Sequence, residues 1–391
     1  MAEMMQTQAG DPGAFRNFDL SRVPSPCFVV DEVAIENNLS VLADVGKRSG
    51  AHVLSALKAF SMFSLAPLVM RYLEGTCASG VYEARLGREE YGGEVATFCA
   101  GYKAQDIDEI VALSDHLIFN SPAQKDRFLP NVRRATHPVQ VGLRINPEHS
   151  EGEVAKYDPC APNSRLGMPV SQLDEAALEG VDGLHMHTLC EQGFEPLART
   201  WEAVCPRIER FFPRLNWINF GGGHHITRAD YDRESLVRFI KEIRAGTGLE
   251  VYLEPGEAVA LDAGILVGEI LDLPRNGMNL AITDVSATCH MPDVIEAPYR
   301  PAMLGEADVG HTYRLGGPSC LAGDVIGDYA WDHPLKVGDR FAFLDQAHYS
   351  MVKTNTFNGV PLPAIAIWNS ETDALRIVRQ FEYSDFKSRL S

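Results

Sequence analysis

The sequence predicts an α/β protein that consists of a (β/α)8 TIM-like barrel followed by a C-terminal all-β domain. Up to about residue 265, short apolar runs alternate with amphipathic stretches, which is the pattern of right-handed βαβ units. Beyond that point, short strand-like runs are separated by Gly, Pro, Asn and Asp, without a helix of comparable length. We therefore expect a barrel over residues 27–265 and a β-sandwich or β-barrel-like domain formed by residues 266–391 with 1–26.

The elements of the predicted barrel follow one another in a regular order. The strand-like runs are Val53–Leu57, Thr76–Ser79, Val95–Cys99, Leu117–Phe119, Val139–Ile145, Val181–Met186, Trp217–Phe220 and Val251–Leu253. The amphipathic stretches between them include Ile35–Lys47, Tyr82–Tyr91, Ala104–Leu113, Phe194–Phe212 and Tyr231–Ala245. Eight such units over about 230 residues match the usual size of a (β/α)8 barrel. An open doubly wound sheet is the alternative, but no G-x-G-x-x-G follows the first strand.

Composition narrows the class of protein. The chain has 391 residues, of which 45% are hydrophobic and 23% charged, as in folded soluble proteins. The N-terminus has neither a basic region nor an apolar run, and no stretch reaches the roughly 18 apolar residues of a membrane span, so we expect a cytoplasmic protein. The eight cysteines form no C-x-x-C pair and are expected to be free thiols. The net charge of −18 argues against nucleic acid and anionic membranes as partners and is compatible with a small cationic molecule.

Chemically competent residues stand where the predicted barrel strands end. In chain order these residues are Lys58, Ser79, Asn120, Arg144, His187, Gly221–Gly223 and Glu254. The C-terminal strand ends carry the active site in this fold. One polar residue at a strand end is unremarkable because loops are polar, but a Lys, a His, a glycine triplet and a Glu at four separate ends together predict a catalytic site.

Three of these features match the three groups by which a protein can bind pyridoxal phosphate, namely its phosphate, its ring nitrogen and its aldehyde. The triplet Gly221–Gly223 lies between a strand and a helical segment, where backbone amides can close on a phosphate; a tight turn is the alternative interpretation. Glu254 is followed by Pro255, which aims the carboxylate inward, and a buried carboxylate there needs a cationic partner such as a protonated pyridine nitrogen. Lys58 would take the aldehyde.

Seven motifs, in order, then give the chain a family resemblance over nearly its whole length. They are P-C-F-V-V-D at 26–31, A-L-K-A at 56–59, G-L-H-M-H-T-L-C-E at 183–191, G-G-G at 221–223, E-P-G at 254–256, G-P-S-C-L-A-G-D at 317–324, and Tyr349 with F-N-G at 357–359. The set resembles the fold-type III pyridoxal phosphate decarboxylases, which include ornithine, diaminopimelate and carboxynorspermidine decarboxylases.

The resemblance implies a role for each matched residue. Lys58 would bond to the cofactor aldehyde, His187 would stack on the ring, and Glu254 would pair with the ring nitrogen. Gly221, Gly222, Gly223 and Tyr349 would hold the phosphate. Cys320 would be the proton donor, and Cys320 and Asp324 would reach into the neighbouring subunit's site, which makes the expected active unit a homodimer.

Departures from the family pattern indicate the substrate. Diaminopimelate decarboxylases usually carry Glu where this chain has Leu321, and they and ornithine decarboxylases usually carry Arg where it has Glu257. The segment H-T-L-C-E replaces their H-x-G-S. Added negative charge beside the phosphate loop suits a substrate with a cationic tail. These features resemble the carboxynorspermidine decarboxylases of the family, so we expect decarboxylation of carboxynorspermidine and carboxyspermidine.

Four acidic residues are the candidates for binding the amine tail of that substrate. They are Glu257, Asp293, Glu296 and Asp324; a solvated loop is the alternative interpretation for Asp293 and Glu296. Decarboxylation of diaminopimelate, ornithine or arginine on the same fold is the alternative activity.

Two other classes of protein remain open. A metal hydrolase would use His185, His187, His224, His225 and Glu254, but this leaves Lys58 and the glycine triplet unexplained, and we predict no metal. A non-catalytic pyridoxal phosphate carrier would lack the β-rich C-terminal part.

Overall fold

The protein is described by a computed structural model covering residues 10–152 and 156–391. The chain divides into two compact units. The barrel unit is Glu36–Val259, and the sheet unit comprises residues 10–35 together with the chain from Ala260 onward. Within the described ranges, no helix is long and apolar enough to cross a membrane. All eight cysteines lie in these ranges, and each is a free thiol, as predicted.

Strands and helices alternate through the barrel unit, whereas strands dominate the sheet unit. The strands are β1 (Cys27–Asp31), β2 (His52–Ala56), β3 (Gly75–Ala78), β4 (Glu94–Phe98), β5 (His116–Phe119), β6 (Gln140–Asn146), β7 (Met168–Pro169), β8 (Gly183–His185), β9 (Trp217–Asn219), β10 (Glu250–Leu253), β11 (Gly264–Asp272), β12 (Arg275–Asn276), β13 (Met278–Thr283), β14 (His311–Gly316), β15 (Val325–Trp331), β16 (Arg340–Leu344), β17 (Ala364–Trp368) and β18 (Leu375–Arg379). The α-helices are α1 (Glu32–Ser49), α2 (Ala66–Val69), α3 (Val81–Leu86), α4 (Ile107–Leu113), α5 (Pro122–Val132), α6 (Glu195–Ile208), α7 (Arg233–Thr247), α8 (Glu257–Ala260), α9 (Ala287–His290), α10 (Asp293–Glu296) and α11 (Tyr383–Lys387).

The barrel unit is a closed barrel of eight parallel strands. Their order is β5-β4-β3-β2-β10-β9-β8-β6, and pairing of β6 with β5 closes the ring. Every predicted barrel strand is present, so the predicted (β/α)8 fold is confirmed. Helix α5 was not among the predicted helices, because its polar composition and its internal Pro130 weaken the apolar periodicity.

A packed apolar layer inside the barrel fixes the strands. It contains Leu54, Ala96, Ile118, Trp217 and Tyr252. Two strand glycines make room for the indole: a Cβ on Gly183 would lie 2.1 Å from Trp217 Cδ2, and one on Gly142 would lie 2.7 Å from its Cη2. Because this interior is filled, the strands are held in one register and their C-terminal ends form a single rim.

The sheet unit contains a mostly antiparallel nine-stranded sheet. Its main order is β15-β14-β13-β11-β1-β17-β18, with β16 added on β11 and β12 on β13. Strand β1 contributes to two apolar clusters, since Phe28 packs in one while Cys27 and Val29 pack in the other. Alternate residues of a strand point to opposite faces, so this sheet is buried on both faces around β1.

The position of β1 differs from the predicted start of the barrel at residue 27. Residues 27–31 pair antiparallel with β11 and parallel with β17, which places them in the sheet unit. A short apolar run buried on both faces has the same sequence pattern in a barrel and in a mixed sheet. Its pairing partners are distant in sequence, and only the tertiary fold selects them.

Candidate active site

Four of the predicted site features follow strands that are neighbours in the barrel. Lys58 follows β2, Glu254 follows β10, the triplet Gly221–Gly223 follows β9, and His187 follows β8. The pairings β2–β10, β10–β9 and β9–β8 make these strands consecutive. The structure therefore brings Lys58, Glu254, the triplet and His187 to one sector of the C-terminal rim, as the strand-end pattern predicts.

The glycine triplet is required by crowding. A Cβ on Gly222 would lie 2.2 Å from the carbonyl oxygen of Glu254, and one on Gly223 would lie 1.9 Å from that of Leu189. Gly221 and Gly223 also have φ angles of +67° and +85°, in the left-handed region. Side chains therefore cannot be accommodated at this turn, and the backbone itself faces the rim.

The amides of this turn divide into two pairs. Gly221 N donates to Asn219 Oδ1 at 2.8 Å, and Gly222 N donates to His187 Nδ1 at 2.9 Å. Among the described residues, no group accepts from the amides of Gly223 and His224. These two consecutive donors, beside a turn from which side chains are excluded, fit a phosphate group.

Glu254 is a buried carboxylate that is held ionised. Its Oε1 accepts from Asn219 Nδ2 at 2.8 Å, and its Oε2 lies 3.2 Å from His185 Nε2. Burial raises the pKa of Glu254, but His185, the hydrogen bond from Asn219 and the charge of Lys58 outweigh it, so the pKa lies below its usual value. A buried anion with spare lone pairs fits a protonated pyridine nitrogen.

His187 is held as a neutral imidazole. Burial, followed by the charges of Lys58 and Arg144, lowers the pKa of His187 well below its ordinary value. Because Nδ1 accepts from Gly222 N, the ring proton resides on Nε2. A neutral, oriented ring at this position fits stacking against a flat cofactor.

The sequence pattern placed Arg144 at a strand end, but in the structure it does not stand there. It lies inside β6, where its guanidinium carbon is 4.5 Å from the centre of the Phe98 ring and its Nη2 donates to the carbonyl oxygen of His187 at 3.1 Å. Burial lowers the pKa of Arg144 to about 10. Strand β6 ends at Asn146, two residues beyond Arg144.

Two residues that contact Glu254 were not given a role toward it by sequence reasoning. Asn219 was not singled out, and His185 was considered only as a ligand of the alternative metal site. Both lie in strands and are fully buried. The available signal was a polar side chain inside an apolar strand, as in W-I-N-F, because a buried polar group needs a partner.

Five further predicted site residues belong to the sheet unit, whereas Glu257 lies in the barrel unit. Asp324 is buried, and its carboxylate accepts from the hydroxyls of Ser286 at 2.8 Å and Ser319 at 2.6 Å and from Thr288 N at 3.2 Å. Asp324 thus anchors the loop 317–324. Cys320, in this loop, is exposed, and its amide donates to Asn358 Oδ1 at 2.8 Å.

The other three are spread over two segments. Asp293 begins α10 and forms an ion pair with Lys353, with Oδ1 and Nζ 2.6 Å apart. Glu296 is exposed at the end of the same helix. Tyr349 has a φ of +36°, and Lys353 Nζ lies 5.6 Å from the centre of its ring.

The five ligands of the alternative metal site do not come together: among the described residues, no three of them bring donor atoms close enough to share an ion. His185 contacts Glu254, His187 contacts Gly222, and His224 Nδ1 lies 2.9 Å from the hydroxyl of Tyr231. His225 instead faces Glu257, with Nε2 and Oε2 3.1 Å apart.

Comparisons with known proteins identify the family of the chain. The family model described as "Pyridoxal-dependent decarboxylase, C-terminal sheet domain" matches residues 27–347. The carboxynorspermidine/carboxyspermidine decarboxylase of Campylobacter jejuni is 37% identical over 94% of this chain and 99% of its own. The carboxyaminopropylagmatine decarboxylase of Synechocystis is 40% identical over 95% of this chain and 96% of its own.

A solved structure extends the likeness to three dimensions. The crystal structure of carboxynorspermidine decarboxylase from Campylobacter jejuni, complexed with norspermidine, superposes with a TM-score of 0.86 at 36% identity, covering 94% of this chain and 100% of that one. The chain belongs to the pyridoxal-dependent decarboxylases, and it is a carboxy-lyase whose cofactor is pyridoxal phosphate.

Proposed function

We propose that this enzyme decarboxylates carboxynorspermidine and carboxyspermidine to give norspermidine and spermidine. Support comes from the near full-length similarity to carboxynorspermidine/carboxyspermidine decarboxylases, including a second relative from Herminiimonas arsenicoxydans that is 36% identical over 94% of this chain. Within the chain, the proposal rests on the carboxylate of Glu257. A carboxylate that faces His225 at this position supplies negative charge where related decarboxylases usually carry Arg.

Different residues of the barrel would hold different parts of the cofactor. Lys58 would bond to its aldehyde, the turn at Gly221–Gly223 would bind its phosphate, and His187 would stack on its ring. Glu254 would pair with the ring nitrogen, for which its ionised state is suited. The bound cofactor supplies an electron sink for the charge left when the α-carboxylate departs.

Cys320 is the residue we assign to reprotonation of the α-carbon. Its side chain is exposed on the loop 317–324. Asp324 holds that loop through three hydrogen bonds, so it would position Cys320 rather than touch the substrate. A positioned acid contributes roughly 10²–10⁴-fold to such a proton transfer.

The substrate's cationic tail would be bound by carboxylates. Glu257 is our first choice because a carboxylate beside a histidine still has lone pairs for an ammonium group. Asp293 is bound to Lys353, so it would have to exchange one cation for another, and Glu296 lies at the end of the same helix. Tyr349 is assigned to the phosphate on the family resemblance.

A homodimer with shared sites follows from the predicted reach of Cys320 into the partner. Mixing Lys58→Ala and Cys320→Ala subunits tests this, because each mixed dimer would rebuild one intact site. Random reassortment should restore about a quarter of wild-type activity. Recovery of no activity, with mixed dimers present, would contradict shared sites. Cytoplasmic location, and the absence of nucleic acid and membrane partners, remain predictions from composition and charge.

A second candidate substrate is carboxyaminopropylagmatine, favoured by the 40% identity to the Synechocystis enzyme. Its guanidinium tail is planar and prefers bidentate carboxylate contacts, whereas an ammonium group is a compact charge.

The deciding experiment is to measure carbon dioxide release from purified enzyme with carboxynorspermidine, carboxyspermidine, carboxyaminopropylagmatine, diaminopimelate, ornithine and arginine. Preferential turnover of the first two is expected. Preference for carboxyaminopropylagmatine would select the second candidate, and preference for diaminopimelate, ornithine or arginine would contradict both.

A further inference from the structure

Glu254 is held by two nitrogen donors, one on each carboxylate oxygen, and the Cys77 thiol is a further neighbour of the carboxylate. Asn219 Nδ2 lies 2.8 Å from Oε1, and His185 Nε2 lies 3.2 Å from Oε2. The donors come from β9 and β8, the next two strands of the barrel after β10. His185 and Asn219 are 1% and 0% exposed, so water does not compete for either contact.

The proton on His185 can be assigned from this geometry. A carboxylate oxygen only accepts, so the hydrogen lies on Nε2 of His185 and points at Glu254. Burial lowers the pKa of His185, despite the charge of Glu254, so the ring is neutral and Nδ1 carries a lone pair. Among the described residues no donor reaches Nδ1, and burial of such an atom is unfavourable. The orientation of the ring therefore gives Nε2 a partner and leaves Nδ1 without a donor among the described residues.

Stacking fixes the plane of the His185 ring. The ring of Phe98 lies 5.5 Å away at an interplanar angle of 14°, and the guanidinium of Arg144 covers the Phe98 ring. A ring packed in this way cannot rotate its Nε2–H away from Glu254 without disrupting the stack.

Asn219 makes a second connection. Its Oδ1 accepts from Gly221 N at 2.8 Å while its Nδ2 donates to Glu254. One buried amide therefore ties the turn assigned to the phosphate to the carboxylate assigned to the ring nitrogen.

We propose that His185 and Asn219 form a two-donor clamp that holds Glu254 as a carboxylate and thereby keeps the proton shared by Glu254 and the cofactor on the ring nitrogen. Both are positioning residues, since they act through Glu254. The inference rests on the proposed role of Glu254. Without the donors, the anion is less stable in its buried site, so the shared proton moves from the nitrogen to the carboxylate.

The test is the ¹⁵N chemical shift of ring-labelled pyridoxal phosphate bound at saturation, with the dissociation constant of the cofactor as a second measurement. His185→Leu removes one donor. Asn219→Asp keeps the acceptor for Gly221 N and replaces the donor to Glu254 by a carboxylate. His185→Gln is the matched control, because its amide restores a donor near the position of Nε2.

The wild type and His185→Gln should give the shift of a protonated nitrogen, while His185→Leu and Asn219→Asp should move toward the neutral value and bind the cofactor about 10- to 100-fold more weakly. Glu254→Gln separates the two levels of the proposal. Suppose that Glu254→Gln moves the ¹⁵N shift, whereas His185→Leu and Asn219→Asp, folded and with the cofactor bound, leave it unchanged. The clamp is then refuted and the role of Glu254 stands. If Glu254→Gln leaves the shift unmoved, both are refuted.

Discussion

Glu94, at the start of β4, gives a stability prediction that can be worked out in magnitude. Burial, together with Asp115 and Glu74 and despite His52, raises the pKa of Glu94 from 4.5 to about 7. The side chain is 22% exposed, and its Oε1 lies 3.4 Å from Nε2 of the buried His116. Ionised Glu94 is therefore less stable in the folded protein than in the unfolded chain.

The sign of the pH dependence of stability follows from the pKa values of Glu94 in the unfolded and the folded protein. Below pH 4.5 the carboxyl is protonated in both states and contributes no pH dependence. Between pH 4.5 and about 7 the unfolded chain loses the proton first, so stability falls as pH rises. Above pH 7 the full penalty applies, and a shift of about 2.5 pKa units corresponds to about 3 kcal/mol.

Glu94→Gln should remove this penalty while keeping the shape of the side chain. We expect the variant to match the wild type near pH 4 and to exceed it by about 3 kcal/mol at pH 8, which corresponds to a rise in melting temperature of roughly 6–12 °C for the barrel unit. Thermal unfolding across this pH range measures it. Glu90→Gln, which removes an exposed carboxylate nearby, is the control for net charge. An equal gain at pH 4 and pH 8, or a gain matched by the control, would refute the reasoning.

Three further predictions concern the site. Lys58→Ala should abolish covalent trapping of the cofactor by borohydride, detected by mass spectrometry; trapping at another lysine would contradict the assignment. Gly222→Ala should weaken cofactor binding by about tenfold or more, because its Cβ would lie 2.2 Å from the carbonyl oxygen of Glu254, whereas Gly246→Ala, which meets nothing within 4 Å, should bind normally in the same titration. Glu257→Arg should lower kcat/KM for carboxynorspermidine by about 10²-fold with the cofactor retained, because it replaces an attractive charge by a repulsive one; unchanged kinetics would remove Glu257 from the substrate site.

The sequence determined the barrel and much of its rim. Strand-like runs are recognised from local composition, and eight of them alternating with helices allow few topologies. Parallel strands in such a barrel end on the same side, so Lys58, His187, the glycine triplet and Glu254 could be placed together without knowing any distance. Family resemblance then added the cofactor and the reaction.

Tertiary structure decided what depends on contacts between strands distant in sequence. Strand β1 joined the sheet unit because its partners are β11 and β17, a choice that its own five residues do not encode. Asp324 proved to be an anchor for its own loop because two hydroxyls and an amide surround it. The two donors to Glu254 lie 35 and 69 residues away along the chain, so only the closed barrel, which sets β8, β9 and β10 side by side, could reveal them.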